Sequence, residues 1–366
     1  MGDDKDDSSQ SDEVEKSEKV EGDALPPIAQ PISGQGAAGV DDQKVVSPEF
    51  DDRSTGLIVF GILQIIMGCC IAMLVPLMLL STLAGPASGA PTTTRMLIPA
   101  IGMYGMMAVV LIWLGVGSIQ ARRWARALTL VLAWMWFVMG LASLVMMCFV
   151  MPNILSISAQ DQKVPPQAMI FVQAVMLATM GCLYIILPGI FIIFYRSKHV
   201  KATCDFKDPY TRWTDKCPLP VLSLSLLLVS GACSMPLSIS YGGVIPLFGF
   251  MVKGVPGALA YLVLSVIFAY LAWATYKLKK SAWWTTFVMY LFFGLSGLVT
   301  FSQITMLDFY REMDMPEEQL KIIEQSGMFE QMNMPLMATL GIVVVVAYML
   351  WVRRYFVAAT VPQEGA

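Results

Sequence analysis

The chain has 366 residues, of which 56% are hydrophobic and only 14% charged, and its mean hydropathy is +0.64. Such a composition excludes an ordinary water-soluble enzyme of this length, because soluble domains carry far more charge. The net charge of −3 hides an uneven distribution, since the first 55 residues hold 15 acidic and only 5 basic side chains. The rest of the chain is therefore basic.

Residues 1–55 are predicted to be a disordered, acidic cytoplasmic tail. High net charge and few large apolar residues do not offset the entropy lost on folding. The tail lacks the basic start of a secretory signal, and the first apolar run, 56–83, is longer than the roughly 15 residues of a signal core. That run is therefore predicted to be a retained helix. The tail itself is either a solvated extension or a binding segment for a protein partner.

Eight apolar runs follow the tail. A hydrocarbon core of about 30 Å needs about 20 apolar residues per helix. Seven runs contain no charged residue, and the eighth has only Arg353 and Arg354 near its end. Since a charge at mid-bilayer costs about 2.5 kcal/mol or more, we predict an all-α integral membrane protein with eight transmembrane helices. The runs are 56–83, 97–120, 127–150, 168–195, 219–241, 255–276, 282–305 and 335–356.

The connections between these runs alternate between basic and non-basic. Nineteen of the 24 Lys and Arg residues lie before the first run, in the even-numbered connections or around the end of the last run. The positive-inside rule places such segments in the cytoplasm. We therefore predict that both termini are cytoplasmic.

The fourth connection, 196–218, divides the runs into two predicted four-helix halves, 56–195 and 219–357. A short cytoplasmic tail, 358–366, follows the second half. Both halves begin on the same side of the membrane, so a duplication of this kind would be parallel.

An ungapped alignment of the two halves supports this interpretation. Laying 123–145 over 277–299 pairs Arg123 with Lys277 and Gly140 with Gly294. Apolar helices also match by chance, so the duplication depends on the charge positions, the glycine positions and the equal span count.

The fourth connection combines six basic residues with aromatic side chains, two cysteines and the only histidine of the chain. A metal or redox site of His199, Cys204 and Cys217 is one interpretation, but their spacing fits no zinc pattern. We therefore predict no metal and no cofactor. Nucleic-acid binding is a second interpretation. The preferred one is contact with anionic lipid headgroups, to which each nearby Lys or Arg contributes about 1 kcal/mol.

The sequence of this connection from Lys201 to Leu222 is KATCDFKDPYTRWTDKCPLPVL. Between two four-span blocks, it resembles a loop of uncharacterised multi-pass inner-membrane proteins of bacteria. The resemblance covers one connection and the span layout. It implies a location in the bacterial inner membrane, and it implies no substrate, cofactor or catalytic residue.

The seventh connection, 306–334, is acidic and lies on the predicted outer side. Asp314 and Pro316 are typical of a helix start, which predicts a helix over 317–325. The loop also carries methionines, whose thioethers suit Cu(I). Methionine is abundant throughout, with 27 in the chain, and gap-filling in packed helices is the preferred explanation. The soft-metal candidates are Met313, Met315, Met332 and Met334.

The ionisable and catalytic residue types present in the apolar runs limit the classes of function that the chain can have. Ion-coupled carriers usually hold ionisable groups at mid-membrane, and catalysis needs a set of nucleophile, base or metal ligands that we do not find. We therefore expect a non-catalytic membrane scaffold or partner-binding protein. The alternative is a transporter or channel for a neutral or apolar solute, built around helix-breaking prolines or a re-entrant stretch over 241–257.

Overall fold

The structure is a computed structural model. The structure describes residues 51–83, 94–162, 166–313, 315, 317–325 and 333–358. Residues 1–50 of the acidic tail and residues 359–366 of the C-terminal tail lie outside the described residues, and so do the predictions of a disordered N-terminal tail and a short C-terminal tail there.

The described chain is all-α apart from one short hairpin, and eight of its helical segments are long and apolar enough to cross a membrane. The predicted eight-span fold is confirmed. The first half contains α1 (Ser54–Leu83), α2 (Thr94–Ile119), α3 (Arg123–Gln162), α4 (Pro166–Gly181) and α5 (Leu187–Arg196). The remaining helices are α6 (Lys198–Lys207), α7 (Leu219–Ser238), α8 (Val255–Tyr276), α9 (Lys280–Gln303), α10 (Met306–Glu312), α11 (Glu317–Gln325) and α12 (Met334–Ala358).

Helix α3 is longer than its apolar run. It has 40 residues, or about 60 Å at the rise of an α-helix, twice the thickness of a hydrocarbon core of about 30 Å. Its membrane-spanning part is Arg123–Val145, and the helix continues to Gln162. Hydropathy marks where a helix leaves lipid, and does not mark where its hydrogen bonds end.

The fourth span consists of α4 and α5, joined by a π-helical turn at Cys182–Ile186. Pro188 has no N–H with which to bond the carbonyl of Tyr184. That carbonyl lies against α3 at Gly140, where an added Cβ would overlap the oxygen. The third and fourth spans therefore approach each other closely at this point, where the π-helical turn of one span lies against Gly140 of the other.

The turn between the second and third spans has the same geometry in both halves. Ala121 and Leu278 both adopt positive φ, 51° and 55°. The N–H of Ala121 donates to the carbonyl of Ser118, and the N–H of Leu278 donates to that of Thr275, both at 2.9 Å. A left-handed residue that closes a helix in this way is a C-terminal cap, and here two non-glycine residues adopt it at matching places.

The packing of the first two spans of each half also matches. In the first half, an added Cβ on Gly61 would lie 2.7 Å from the carbonyl oxygen of Gly115. In the second half, the hydroxyl of Ser225 donates to the carbonyl of Ala272 at 2.8 Å. The four buried positions of α1 therefore correspond one by one to buried positions of α7. These pairs are Leu57 and Val221, Gly61 and Ser225, Gln64 and Leu228, and Gly68 and Ala232.

The fold is thus two parallel four-helix halves, but the register differs from the ungapped alignment. The matching turns pair Arg123 with Lys280, the first residues of α3 and α9, instead of with Lys277. Apolar sequences can be aligned at several registers, so the sequence alignment was ambiguous. The matching capped turns at Ala121 and Leu278 allow only one register.

Within the stretch 241–257, residues 245–252 form a β-hairpin, and α8 begins at Val255. β1 (Ile245–Leu247) pairs with β2 (Phe250–Val252) in antiparallel fashion. The two turn residues between them have positive φ, as in a type I′ hairpin, and their N–H groups donate to hydroxyls of α9. These donors and acceptors are Phe248 to Ser296 Oγ and Gly249 to Thr300 Oγ1, both at 3.0 Å.

The seventh connection contains the predicted helix, because α11 covers Glu317–Gln325. A second short helix, α10, was not predicted. The side chain of Thr305 accepts from the N–H of Asp308, and Asp308 accepts in return from the N–H of Thr305. This capping box explains why the helix begins there.

Candidate functional site on the basic face

We call the side of the bundle that carries segment 197–218 and the turns 120–122 and 277–279 the basic face. Its centre is Asp208, whose side chain is only 1% exposed. Arg212 Nη2 donates to Asp208 Oδ1 at 2.8 Å, and Arg212 Nε donates to Oδ2 at 3.0 Å. Arg122 lies 3.9 Å from the same carboxylate. A two-pronged contact of this kind holds an arginine in one orientation.

The electrostatics follow from that geometry. The hydrogen bond from Arg212 holds the pKa of Asp208 below its usual value, although burial alone would raise it. The same bond raises the pKa of Arg212. Asp208 therefore stays a carboxylate at any physiological pH.

Arg123 extends the network to the first turn of α3. Its Nε lies 3.1 Å from Asp205 Oδ1, and its Nη2 donates to the Asp205 carbonyl at 3.1 Å. Its Nη1 is 4.0 Å from Asp215. These contacts attach segment 197–218 to the first half.

The same segment is also attached to the second half. The hydroxyl of Tyr276, the last residue of α8, donates to the carbonyl of Trp213 at 2.9 Å. Cys217 is buried within a cluster formed mainly by α7, α8, α9 and α12. Segment 197–218 therefore connects the two halves at the basic face.

The structure does not bring the three candidate ligands of this loop together. His199 is exposed, and its Nδ1 accepts from the N–H of Asp51 at 3.3 Å. Cys204 is buried in the first-half core and Cys217 in the second-half core. Burial raises the pKa of each thiol to about 11. In the part of the chain that the structure describes, no group of three or more His, Cys, Asp and Glu could hold a metal ion.

The methionine candidates lie around the ends of α10 and α12. Met313 follows α10 and its backbone packs near Gly242, while Met334 begins α12. Met315 lies between α10 and α11, and Met332 is outside the described residues. The soft-metal hypothesis for this connection stays a prediction.

Buried polar groups within the spans serve packing. Gln64 Nε2 donates to Thr129 Oγ1 at 3.2 Å, and Trp283 Nε1 donates to the carbonyl of Met349 at 2.9 Å. Ser265 Oγ donates to the carbonyl of Ala232 at 2.7 Å. Interhelical bonds of this type contribute about 0.6 kcal/mol each in a membrane protein.

A groove lies beside the network, between α7 and α8. Its volume is about 500 Å³, and its lining is almost entirely apolar. Trp213, Trp273 and Tyr276 form its end at the basic face. A second, smaller cavity of about 370 Å³ lies between α9 and α12. The sequence offered no signal for either, because both depend on which faces of the helices meet.

Comparison with known proteins adds no family to these observations. No model of a protein family matches the chain, and neither a curated protein nor a solved structure does. The resemblance of the fourth connection to bacterial inner-membrane proteins therefore stays a prediction.

Proposed function

We propose that this polytopic membrane protein is a non-catalytic scaffold of the bacterial inner membrane, with its basic face and both termini in the cytoplasm. The observation that carries the proposal is the attachment of segment 197–218 to both halves. Alternating access requires one half to move against the other. A loop that is bonded to Arg123 in one half and to Tyr276 in the other opposes such motion.

The exposed surface of the same segment supports a partner-binding role. Lys198, Lys201 and Lys207 are exposed on α6, and Tyr210 is 75% exposed beside them. Lysines displayed on a rigid element attract acidic protein segments and steer their approach. The acidic residues of the tail, 1–55, are proposed as a second partner-binding segment, for a basic partner.

Photo-crosslinking in living cells tests the scaffold. A photoreactive amino acid placed at Lys201 or Tyr210 is expected to crosslink one defined protein. The matched control is the same amino acid at Lys321, which is exposed on α11 at the opposite face. The triple variant K198E/K201E/K207E should abolish the crosslink at Tyr210. The scaffold is refuted if the Lys201, Tyr210 and Lys321 positions give the same crosslinked proteins.

The alternative is a carrier or channel for a neutral or apolar solute. The π-helical turn Cys182–Ile186 and the cavity between α9 and α12 favour it, because irregular helices and cavities form solute sites in membrane proteins. Proteoliposomes that contain the purified protein distinguish the two functions. Saturable flux of small neutral solutes above that of empty liposomes supports transport, and its absence together with a defined crosslinked partner supports the scaffold.

A further inference from the structure

We propose that the groove between α7 and α8 binds one acyl chain of an anionic phospholipid, with the lipid phosphate at Lys277 and Lys279. Such a site requires only that the protein is embedded in a bilayer, and it exists whether or not the protein is a scaffold. The dimensions of the groove, its counterpart in the first half, and the charges at its end each support this occupant.

The groove has the length of one leaflet. It follows α7 from Leu222 to Cys233, which is about 16 Å at the rise of an α-helix. One leaflet contributes half of a hydrocarbon core of about 30 Å. The hydroxyl of Ser225 within the groove already donates to the carbonyl of Ala272, so the lining suits a hydrocarbon chain.

The first half shows what the same helix pair looks like when this space is filled. An added Cβ on Gly68 of α1 would lie 2.7 Å from Ile112 Cγ1 of α2, so the isoleucine covers that contact. In the register of the matching turns, Ile112 corresponds to Ala269 of α8. Ala269 lines the groove. Replacing an isoleucine by an alanine removes three carbons from the interhelical surface and leaves space that lipid fills.

The basic residues at the end of the groove also differ between the halves, because those of the second half lie over aromatic rings and the matching one of the first half is paired with a carboxylate. Lys279 Nζ lies 4.2 Å from the ring centroid of Trp273, and Lys277 Nζ lies 5.9 Å from that of Tyr276. Both rings line the groove. The first-half counterpart of Lys279 is Arg122, which pairs with the carboxylate of Asp208.

Neither lysine forms an ion pair with a carboxylate among the described residues. Two ammonium groups held over aromatic rings, at the depth where Trp and Tyr mark the membrane interface, form a site for an anionic headgroup. A neutral zwitterionic lipid would gain less there, because its own cation opposes the lysines.

Photo-crosslinking with a labelled lipid tests the site on the full-length protein. The probe is a phosphatidylglycerol with a diazirine near the end of one acyl chain, mixed into phosphatidylcholine vesicles that contain the purified protein. The crosslinks are expected to concentrate on the groove, around Val229, Cys233 and Ala269. Unlabelled dioleoyl phosphatidylglycerol should compete, and dioleoyl phosphatidylcholine should not.

Two variants with matched controls complete the test. Ala269→Ile should remove the groove crosslinks, whereas Val263→Ile should retain them, because Val263 is 58% exposed on the same helix outside the groove. Neutralising Lys277 and Lys279 to glutamine should lower the preference for phosphatidylglycerol about fivefold for each lysine. The control is Lys321→Gln, on the opposite face.

The results that overturn the proposal are equally defined. Wild-type crosslinks spread evenly over the lipid-facing helices would show that no site exists, and this result does not depend on the folding of any variant. A photoreactive amino acid at Val229 in the same vesicles that crosslinks a second copy of the chain, and not lipid, would assign the groove to a helix of that copy. An unchanged groove signal in a folded Ala269→Ile variant would also refute the site.

Discussion

Replacing Asp208 with asparagine should destabilise the protein by about 3 kcal/mol. The substitution keeps the shape of the side chain but replaces one acceptor oxygen with an NH2 donor that faces the guanidinium, so one hydrogen bond from the charged donor, which contributes about 1.5–3 kcal/mol, is lost. The other oxygen still accepts, as a neutral amide, and the attraction of the carboxylate to Arg212 and Arg122 is lost as well. Breaking a fully buried pair costs about 3–5 kcal/mol. Here Arg212 is 33% exposed and Arg122 40% exposed, so both reach water and the loss lies at the lower end.

Reversible unfolding in increasing SDS measures this loss. Asp51→Asn is the matched control, because Asp51 is 71% exposed and its pair with Arg53 is a surface pair expected to contribute less than about 1 kcal/mol. Equal destabilisation by Asp208→Asn and Asp51→Asn would refute the reasoning. A double-mutant cycle with Arg212→Gln then isolates the coupling between the two side chains.

The same carboxylate predicts a pH dependence. The folded-state pKa of Asp208 is lowered, so its contribution is fully present above its unfolded pKa of about 3.9 and is lost as the pH falls through the folded value. The wild type should therefore approach the stability of Asp208→Asn only below about pH 4. A constant difference between the two proteins down to pH 2 would contradict this sign.

The remaining predictions concern packing, thiol reactivity and orientation. Gly140→Ala should cost about 1–3 kcal/mol in the same SDS assay because its Cβ meets a carbonyl, whereas Gly189→Ala, which meets nothing, should cost less. Cys204, with burial raising its pKa to about 11, should resist maleimide at neutral pH until SDS unfolds the protein; labelling at the rate of a free thiol would contradict this. In a cysteine-free background, an impermeant maleimide added to cells should label Lys321→Cys and spare Lys201→Cys; the opposite result would invert the topology.

The sequence showed which residue types the candidate site contains, but it did not show which of them contact one another. The basic character of 196–218 was clear, and Asp205, Asp208 and Asp215 alternate with its basic residues. Nothing in the sequence indicated that Asp208 would be the buried one, because that depends on where α6 ends relative to Arg122. The proximity of His199, Cys204 and Cys217 along the chain indicated a possible cluster that the fold separates between two cores.

The sequence by itself determined the class, the span count and the approximate span ends. Hydropathy and charge act residue by residue on the free energy of insertion, so a sum over about 20 residues decides whether a helix enters lipid. Tertiary structure alone decided the register of the duplication, the hairpin over 245–252, the buried position of Asp208 and the groove beside Ala269. Each of these depends on which side chains meet across different helices, and apolar helices of similar composition leave that choice to close packing, caps and single hydrogen bonds.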